Sequence, residues 1–453
     1  MHQLRELADA PKHIVVICGG AVAGSEAAAL CAARGALVVV VEQNPRPFGK
    51  IEDGLPRWHE KLRDKEYQRI GANLTQPGVL LMPETRLGRD IGWQELLDRW
   101  QPSAVILANG AWRDRPVPVE GIDQYVDRGL VYQNPFVYWF NHYHEKGYSG
   151  PRYEALDETM VLGGGLASID VVKIINLELY AAALRKRGID ISVVELEHRG
   201  IDRIVARHGL KAEELGVKGC TLYYRRRKKD MPLASPPPNA TPEQLRKTET
   251  VRTKVMDNCI KKYLVRLEEC HAPVGAVIEN DRLVGIRFRR TEMRDGRLVQ
   301  LDGTDYDVRA PLVISSIGSV PEPLPGIPTK GELYDYTNWD TGELRGLSGV
   351  FGLGNVLTGK GNIKESRVNA KEVGEQIVSG YLGLDSSEAS TAAMSDEVHA
   401  AARAAAEPLA EKALSGKAAP ASAVARVLEN VERRWQQVGY DGDYRAWLER
   451  HPA

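Results

Sequence analysis

The chain has 453 residues, of which 43% are hydrophobic and 27% charged, with a formal net charge of −1. That length asks for two or three domains with cores of their own, and the near-neutral balance excludes a whole-protein pull toward nucleic acid or an anionic membrane. The stretch Met1–Lys12 lacks the apolar core of a secretory signal, and no run of about 18 apolar residues occurs, so a cytoplasmic protein without a membrane partner is expected. Cys18, Cys31, Cys220, Cys259 and Cys270 are scattered and never spaced Cys-x-x-Cys. A redox disulfide, an iron–sulfur cluster and a metal centre are therefore not expected within the chain.

In chain order, His13–Cys18 is a β-branched run, followed by a glycine cluster, an alanine-rich helical stretch Ser25–Arg34 and a second apolar run Leu37–Val41. This is the order strand, tight turn, helix, strand. Ala104–Leu107 reads as a buried strand with a turn at Ala108-Asn109-Gly110-Ala111, and the proline-spaced segment after it as a connection between domains. The same βαβ order opens again at Thr159–Leu162, with Gly163-Gly164-Gly165 and a helical stretch Ala167–Tyr180. Leu312–Ile317 and Gly349–Leu353 are later strands that run into glycine, and Lys364–Ser379 reads as a helix. Asp385–Ala421, rich in Ala, Ser and Glu, suggests a loosely packed helical extension, while Val424–His451 carries tryptophans on a better stripe and should dock on the body.

Each glycine turn has the composition of a dinucleotide site, in which one glycine makes the turn, one lets the pyrophosphate approach and one lets helix and strand pack. In the first, Gly19 and Gly24 hold the outer positions and Ala21 the middle one, and Glu42 ends the second strand where a carboxylate would meet an adenosine ribose. In the second, Gly163 and Gly165 are followed by Ser168. Two runs could carry its ribose selector. Ile191–Glu195 ends in acids and would favour a free 2′-hydroxyl; Cys220–Tyr224 leads into Arg225, Arg226, Arg227, Lys228 and Lys229. The second is favoured, because guanidinium forks match the oxygens of a 2′-phosphate.

These residues resemble the flavoproteins of the adrenodoxin reductase and glutamate synthase small-subunit group over roughly residues 12–379. The segments that carry the resemblance are EQNPRPFGKIEDGLP from Glu42, ETRLGRDIGWQELL from Glu84, LANGAW from Leu107, LYYRRRKKDMP from Leu222, VISSIG from Val313 and FGLGNVLTGKGNI from Phe351. It implies an α/β protein with two Rossmann-like domains: a discontinuous FAD domain over 12–112 and 345–384, an NAD(P) domain over 113–344, and a helical extension over 385–453. The FAD contacts implied are Gly19, Ala23, Gly24, Glu42, Gly49, Lys50, Ile51, Leu87, Gly110, Gly354, Asn355, Gly361, Asn362 and Ile363. Asn355 stands where glutamate synthase small subunits have an aspartate for a ribityl hydroxyl, and the helix at Gly361–Ile363 should point its N-terminus toward the flavin. The NADP contacts implied are Gly163, Gly165, Leu166, Ala167, Arg225 and Arg226, with NAD as the alternative nucleotide. His59 and Asp170 match a histidine and an aspartate that adrenodoxin reductases place near the flavin, and so form a candidate proton path. The long segment between Ile191 and Gly219 is not matched to any of the family's segments named above.

The leading expectation is an NADPH oxidoreductase that passes electrons through FAD to a ferredoxin-type iron–sulfur protein, reversibly. The alternatives are an electron-input subunit of a larger complex and a non-catalytic nucleotide sensor. Without paired cysteines, electrons must leave the flavin directly, and the cation-bearing segment Arg57–Arg69 is the candidate docking surface for an acidic partner.

Overall fold

A computed structural model describes residues 11–237, 239–359, 361–384 and 419–452, which fall into two compact units. The first takes in the chain up to Glu52, Glu60–Arg113 and Ser319 onward; the second takes in Asp53–His59 and Asp114–Gly318.

The first unit opens with β1 (Ile14–Cys18), α1 (Val22–Ala33) and β2 (Leu37–Val41), followed by β3 (Val79–Met82) and β4 (Ala104–Leu107). All four strands are buried along their length, which is why they read as unbroken Val/Ile/Leu runs rather than alternating ones. β1 lies between β2 and β4, all parallel, with Ile14 opposite Leu37 and Val15 opposite Ala104. The strand order changes direction at β1, the place where open parallel sheets bind ligands beyond their carboxyl ends.

The second unit is a parallel sheet of five strands in the order β5 (Leu130–Tyr132), β9 (Val313–Ser316), β6 (Met160–Gly163), β7 (Thr221–Tyr224), β8 (Arg266–Glu269). The connection from β6 is α2 (Leu166–Lys186), then α3 (Val193–Arg199) and a further helix Ile201–Arg207, before the chain enters β7. Thus Cys220–Tyr224 is the strand next to β6, as favoured, and Ile191–Glu195 is not a strand. Ser192 caps α3 by accepting from the Glu195 N–H at 3.1 Å, so its β-branched residues lie on a helix. The helix α4 (Pro242–Tyr263) leads to β8. An antiparallel sheet built on Arg282–Arg294, with His271–Glu279, Arg297–Gln300 and Tyr306–Arg309 as its other strands, also belongs to this unit.

The chain then returns to the first sheet. β10 (Val350–Gly352) pairs in parallel with β4, and the short strands Tyr336–Asn338 and Glu343–Leu344 extend that edge antiparallel. Residues 319–344, assigned from sequence to the nucleotide domain in the middle of the chain, therefore group with the first unit. After β10 come α5 (Ile363–Glu375), α6 (Ala421–Val438) and α7 (Tyr444–Arg450). The run Asp385–Ala421 lies almost entirely outside the described residues, but the expected docking of the last segment is observed. Ala423, Val427, Val431 and Trp435 of α6 are buried, and the Trp435 indole donates to the Leu81 carbonyl of β3 at 2.7 Å. Trp447 of α7 donates to the Pro45 carbonyl at 2.7 Å. Among the described residues no helix is long and apolar enough to cross a membrane.

Candidate functional site

In the first unit the turn after β1 is held by backbone proximity. Gly19 has φ +101°, and a Cβ there would lie 2.6 Å from the Ala108 carbonyl oxygen. A Cβ on Gly24 would lie 1.8 Å from the Gly19 oxygen, so the third glycine lets the first turn of α1 close on the strand. Ala21 is the N-cap residue of α1, makes no side-chain cap, and no acid stands in the first turn. No side chain of that first turn brings a negative charge to its amides, which suits a pyrophosphate, while the Gly20 amide before it is taken by Glu42.

Glu42 is buried just past β2, and its oxygens accept from the Gly20 amide at 2.8 Å and the Asn44 amide at 2.9 Å. Those two bonds fix the carboxylate's orientation. Leu87 is buried beyond β3 in the loop Leu87–Ile91.

Gly49 (φ +51°) begins a short 3₁₀ turn that includes Lys50 and Ile51. A Cβ on Gly49 would lie 3.0 Å from the Ala21 methyl and 3.7 Å from the Trp112 ring, and one on Gly110 would lie 3.6 Å from the Trp112 indole nitrogen. The Lys50 ammonium sits 5.5 Å from the Trp112 ring centroid and donates to Ser319 Oγ at 3.2 Å. Trp112 thus joins the predicted set; its only signal in the sequence is an aromatic residue two positions after a turn glycine.

The closing strand β10 ends at Gly352, and Gly354 is the N-cap of a short helix Asn355–Thr358. The Gly354 amide donates to Asn369 Oδ1 at 2.6 Å. Asn355 Oδ1 and Asn109 Oδ1 are both buried without a protein partner, although each could accept a hydrogen bond. Two such acceptors suit a polyhydroxylated cofactor chain. Gly361 precedes Asn362, whose side chain caps α5 by accepting from the Glu365 amide at 2.7 Å, and Ile363 opens the helix. The helix terminus stands at the predicted residues, with one of its amides already taken and Glu365 in its first turn.

In the second unit, Gly163 ends β6 where a Cβ would lie 2.2 Å from Ser168 Oγ and 2.4 Å from the Ser316 carbonyl oxygen; Ser168 donates to that carbonyl at 2.9 Å. Around Gly165 a Cβ would meet nothing within 4 Å. Leu166 is exposed and with Ala167 begins α2, which carries no acid in its first turn. This is open approach to a helix N-terminus. Gly164 packs flat on the Tyr224 ring, where a Cβ would lie 2.3 Å from it.

The cations after β7 sort into two groups. Arg227 pairs with Asp230 at 2.7 Å, Lys228 with Asp257 at 2.6 Å and Lys229 with Glu249 at 3.3 Å. Arg225 and Arg226 make no ion pair among the described residues, and the buried Arg226 Nε has no hydrogen-bond partner.

His59 and Asp170, far apart in sequence, are brought together in this unit at 3.9 Å between Nε2 and Oδ1. Sequence reasoning missed what stands behind them. The buried Lys173 on α2 reaches Glu197 of α3 at 2.7 Å and Asp170 at 3.9 Å. Burial alone would raise the Glu197 pKa, but the Lys173 bond and charge outweigh it and hold the carboxyl below its ordinary value.

The thiols lie elsewhere in character. Cys18, Cys31, Cys220 and Cys259 are buried, and burial pushes Cys18, Cys31 and Cys259 up to about 12, so they stay neutral.

No family model matches the chain. It is 27% identical over 169 residues to the mitochondrial NADPH:adrenodoxin oxidoreductase of Arabidopsis thaliana, covering 36% of this chain and 33% of that protein. It is 24% identical over 323 residues to the glutamate synthase [NADPH] small chain of Mycobacterium tuberculosis, covering 68% of this chain and 53% of the other. The chain is a distant homologue of both. It spans only a third to a half of the length of these relatives. Among solved structures it is similar to Mycobacterium tuberculosis FprA in complex with NADPH, with a TM-score of 0.66 at 18% identity, covering 94% of this chain and 90% of that one. That likeness establishes the fold, α/β with two dinucleotide-binding domains, as the sequence implied.

Proposed function

We propose that the chain is an FAD-dependent NADPH oxidoreductase that passes electrons to a ferredoxin-type iron–sulfur protein, in either direction. One observation carries the reading: two glycine turns, each on a parallel sheet and each leading into a helix with no acid in its first turn, carry opposite selectors. The first has the oriented Glu42 carboxylate, suited to ribose hydroxyls; the second has Arg225 and Arg226, without ion-pair partners among the described residues and suited to a 2′-phosphate.

A flavin held by these residues would supply hydride acceptance from a nicotinamide and release of electrons one at a time. The chain's own residues do the rest. Glu42 and the turn at Gly19–Gly24 hold the adenosine and pyrophosphate, Asn109 and Asn355 offer acceptors to hydroxyls, and Lys50 lends a positive charge beside Trp112. Arg225 and Arg226 choose NADPH over NADH. His59, with Asp170 at 3.9 Å, holds a mobile proton at Nε2.

An acidic redox protein would dock through exposed cations, and the segment Arg57–Arg69 offers fewer than its composition suggests. Arg57 lies over the Phe140 ring at 4.6 Å, Arg63 donates to the Glu52 carbonyl at 3.0 Å and Arg69 pairs with Glu26. Lys61 and Lys65 are exposed and remain the candidates. The test is NADPH-dependent reduction of a ferredoxin at varied salt: turnover should fall with ionic strength and fall further in Lys61→Glu/Lys65→Glu.

A second reading, an electron-input subunit, is favoured by the longer of the two sequence matches, to the glutamate synthase [NADPH] small chain. Turnover indifferent to ferredoxin, with a large subunit co-purifying, supports that reading instead.

A further inference from the structure

Lys173 lies on α2 among residues that are wholly buried, Val171, Val172, Ile174 and Ile175, and is itself 7% exposed. A lysine is seldom buried so deeply unless paired, because its ammonium loses the solvation of water. Here the ammonium has two carboxylates, Glu197 at 2.7 Å and Asp170 at 3.9 Å, and two aromatic rings, Trp58 at 4.5 Å and Tyr263 at 5.0 Å from their centroids. Glu197 is fixed in turn by the Tyr263 hydroxyl, which donates to it at 2.8 Å.

A pair that served only to hold α2 to its neighbours could be replaced by apolar residues at little cost or at a gain. Its position suggests another purpose. Lys173 is one helical turn from Asp170, and Asp170 is the residue that faces His59. Glu197 lies on α3 and meets Lys173 from that helix.

We infer that Lys173 is a positioning residue that holds the Asp170 carboxylate toward His59, and that Glu197 on α3 holds Lys173 in place. The charge arrangement is one ammonium shared between two carboxylates, with His59 at the end of the chain. Other titratable groups face it: His198, 4.0 Å from Glu197, Lys262, whose ammonium lies 4.9 Å from the Tyr263 ring, and the buried thiol of Cys259.

The arrangement has a signature that packing alone does not produce. Removing the Lys173 cation leaves His59 facing uncompensated carboxylates and raises its pKa; removing the Glu197 anion gives Lys173 wholly to Asp170 and lowers it. The functional meaning rests on the proposal that His59 and Asp170 serve the flavin reaction, but the titration does not. If His59→Gln leaves flavin reduction by NADPH untouched, that proposal fails and the titration still stands.

The experiment is a histidine titration of the full chain by NMR, with His59→Gln to assign the resonance among the 10 histidines. Lys173→Met should shift the His59 midpoint upward by about one pH unit, Glu197→Gln should shift it downward, and Lys173→Arg should leave it near the parent value. Lys173→Met/Glu197→Gln keeps the buried charge balanced and guards against a single variant that does not fold; its shift should be upward but smaller. Shifts of the same sign in Lys173→Met and Glu197→Gln, or no shift in either, would overturn the inference.

Discussion

A Cβ built on Gly354 would stand 2.5 Å from the methyl carbon of Ala23. The turn just past β10 is thus pressed against the first turn of α1, and Gly354 has φ +71° and ψ −141°, a region open almost only to glycine. Gly354→Ala should force these elements apart where the flavin nucleotide is proposed to sit. The purified variant should bind FAD at least about tenfold more weakly than the parent, read by calorimetry or by the flavin-to-protein absorbance ratio. Equal affinity would mean that the closing strand does not help hold the cofactor.

The proposed clamp at Arg225 and Arg226 implies an effect on selectivity rather than on overall activity. A charge-assisted bond to a 2′-phosphate contributes about 1.5–3 kcal/mol, so either alanine variant should raise the KM for NADPH by about tenfold or more. NADH turnover should be unchanged. An unaltered NADPH/NADH ratio would place the selector elsewhere.

Trp447 ties the C-terminal helices to the loop that follows Glu42. It is 1% exposed, its indole donates to the Pro45 carbonyl, and the neighbouring Arg46 donates to the His451 carbonyl at 3.0 Å and pairs with Glu52 at 2.6 Å. Trp447→Ala should cost about 3–5 kcal/mol in the first unit, measured by denaturant unfolding, and should loosen FAD. A variant with parent stability would show that α7 is dispensable.

In the second unit, His142 bridges Asp53 at 3.1 Å and Glu145 at 2.7 Å. Burial alone would disfavour the charged ring, but the bonds to the two carboxylates outweigh it and hold the His142 pKa above the ordinary 6.5. A raised folded pKa stabilises fully below the unfolded value and fades as pH rises through the folded one. Stability should therefore decline as pH climbs above about 6.5, and His142→Gln should flatten that part of the profile. An identical slope in the variant would assign the pH dependence to other groups.

The glycine turns and their flanking strands were legible because their causes are local: buried parallel strands read as Val/Ile runs, and Gly19, Gly24 and Gly163 are required by contacts within one βαβ unit. The run at Ile191–Glu195 stayed open to a strand reading because its three β-branched residues suit a strand or a buried helix, and the Ser192 cap with Glu195 three residues on was the better signal. The antiparallel sheet around Arg282–Arg294 was missed because that central strand is dense in arginine paired across the sheet, as Arg287 is with Asp307 at 2.6 Å. Lys173 with Glu197, and Trp447 with Pro45, join residues distant in sequence, and nothing in the local pattern announces such pairs.

In the proposed function, two nucleotide sites serve one electron path from NADPH through FAD. Its most direct test is the absorbance spectrum of the purified full chain, recorded without oxygen, before and after addition of NADPH. The account predicts a yellow protein holding about one FAD per chain, whose flavin absorbance bleaches with NADPH and much less readily with NADH. A colourless protein that takes up no FAD on reconstitution, or a flavin that neither nucleotide reduces, would contradict it.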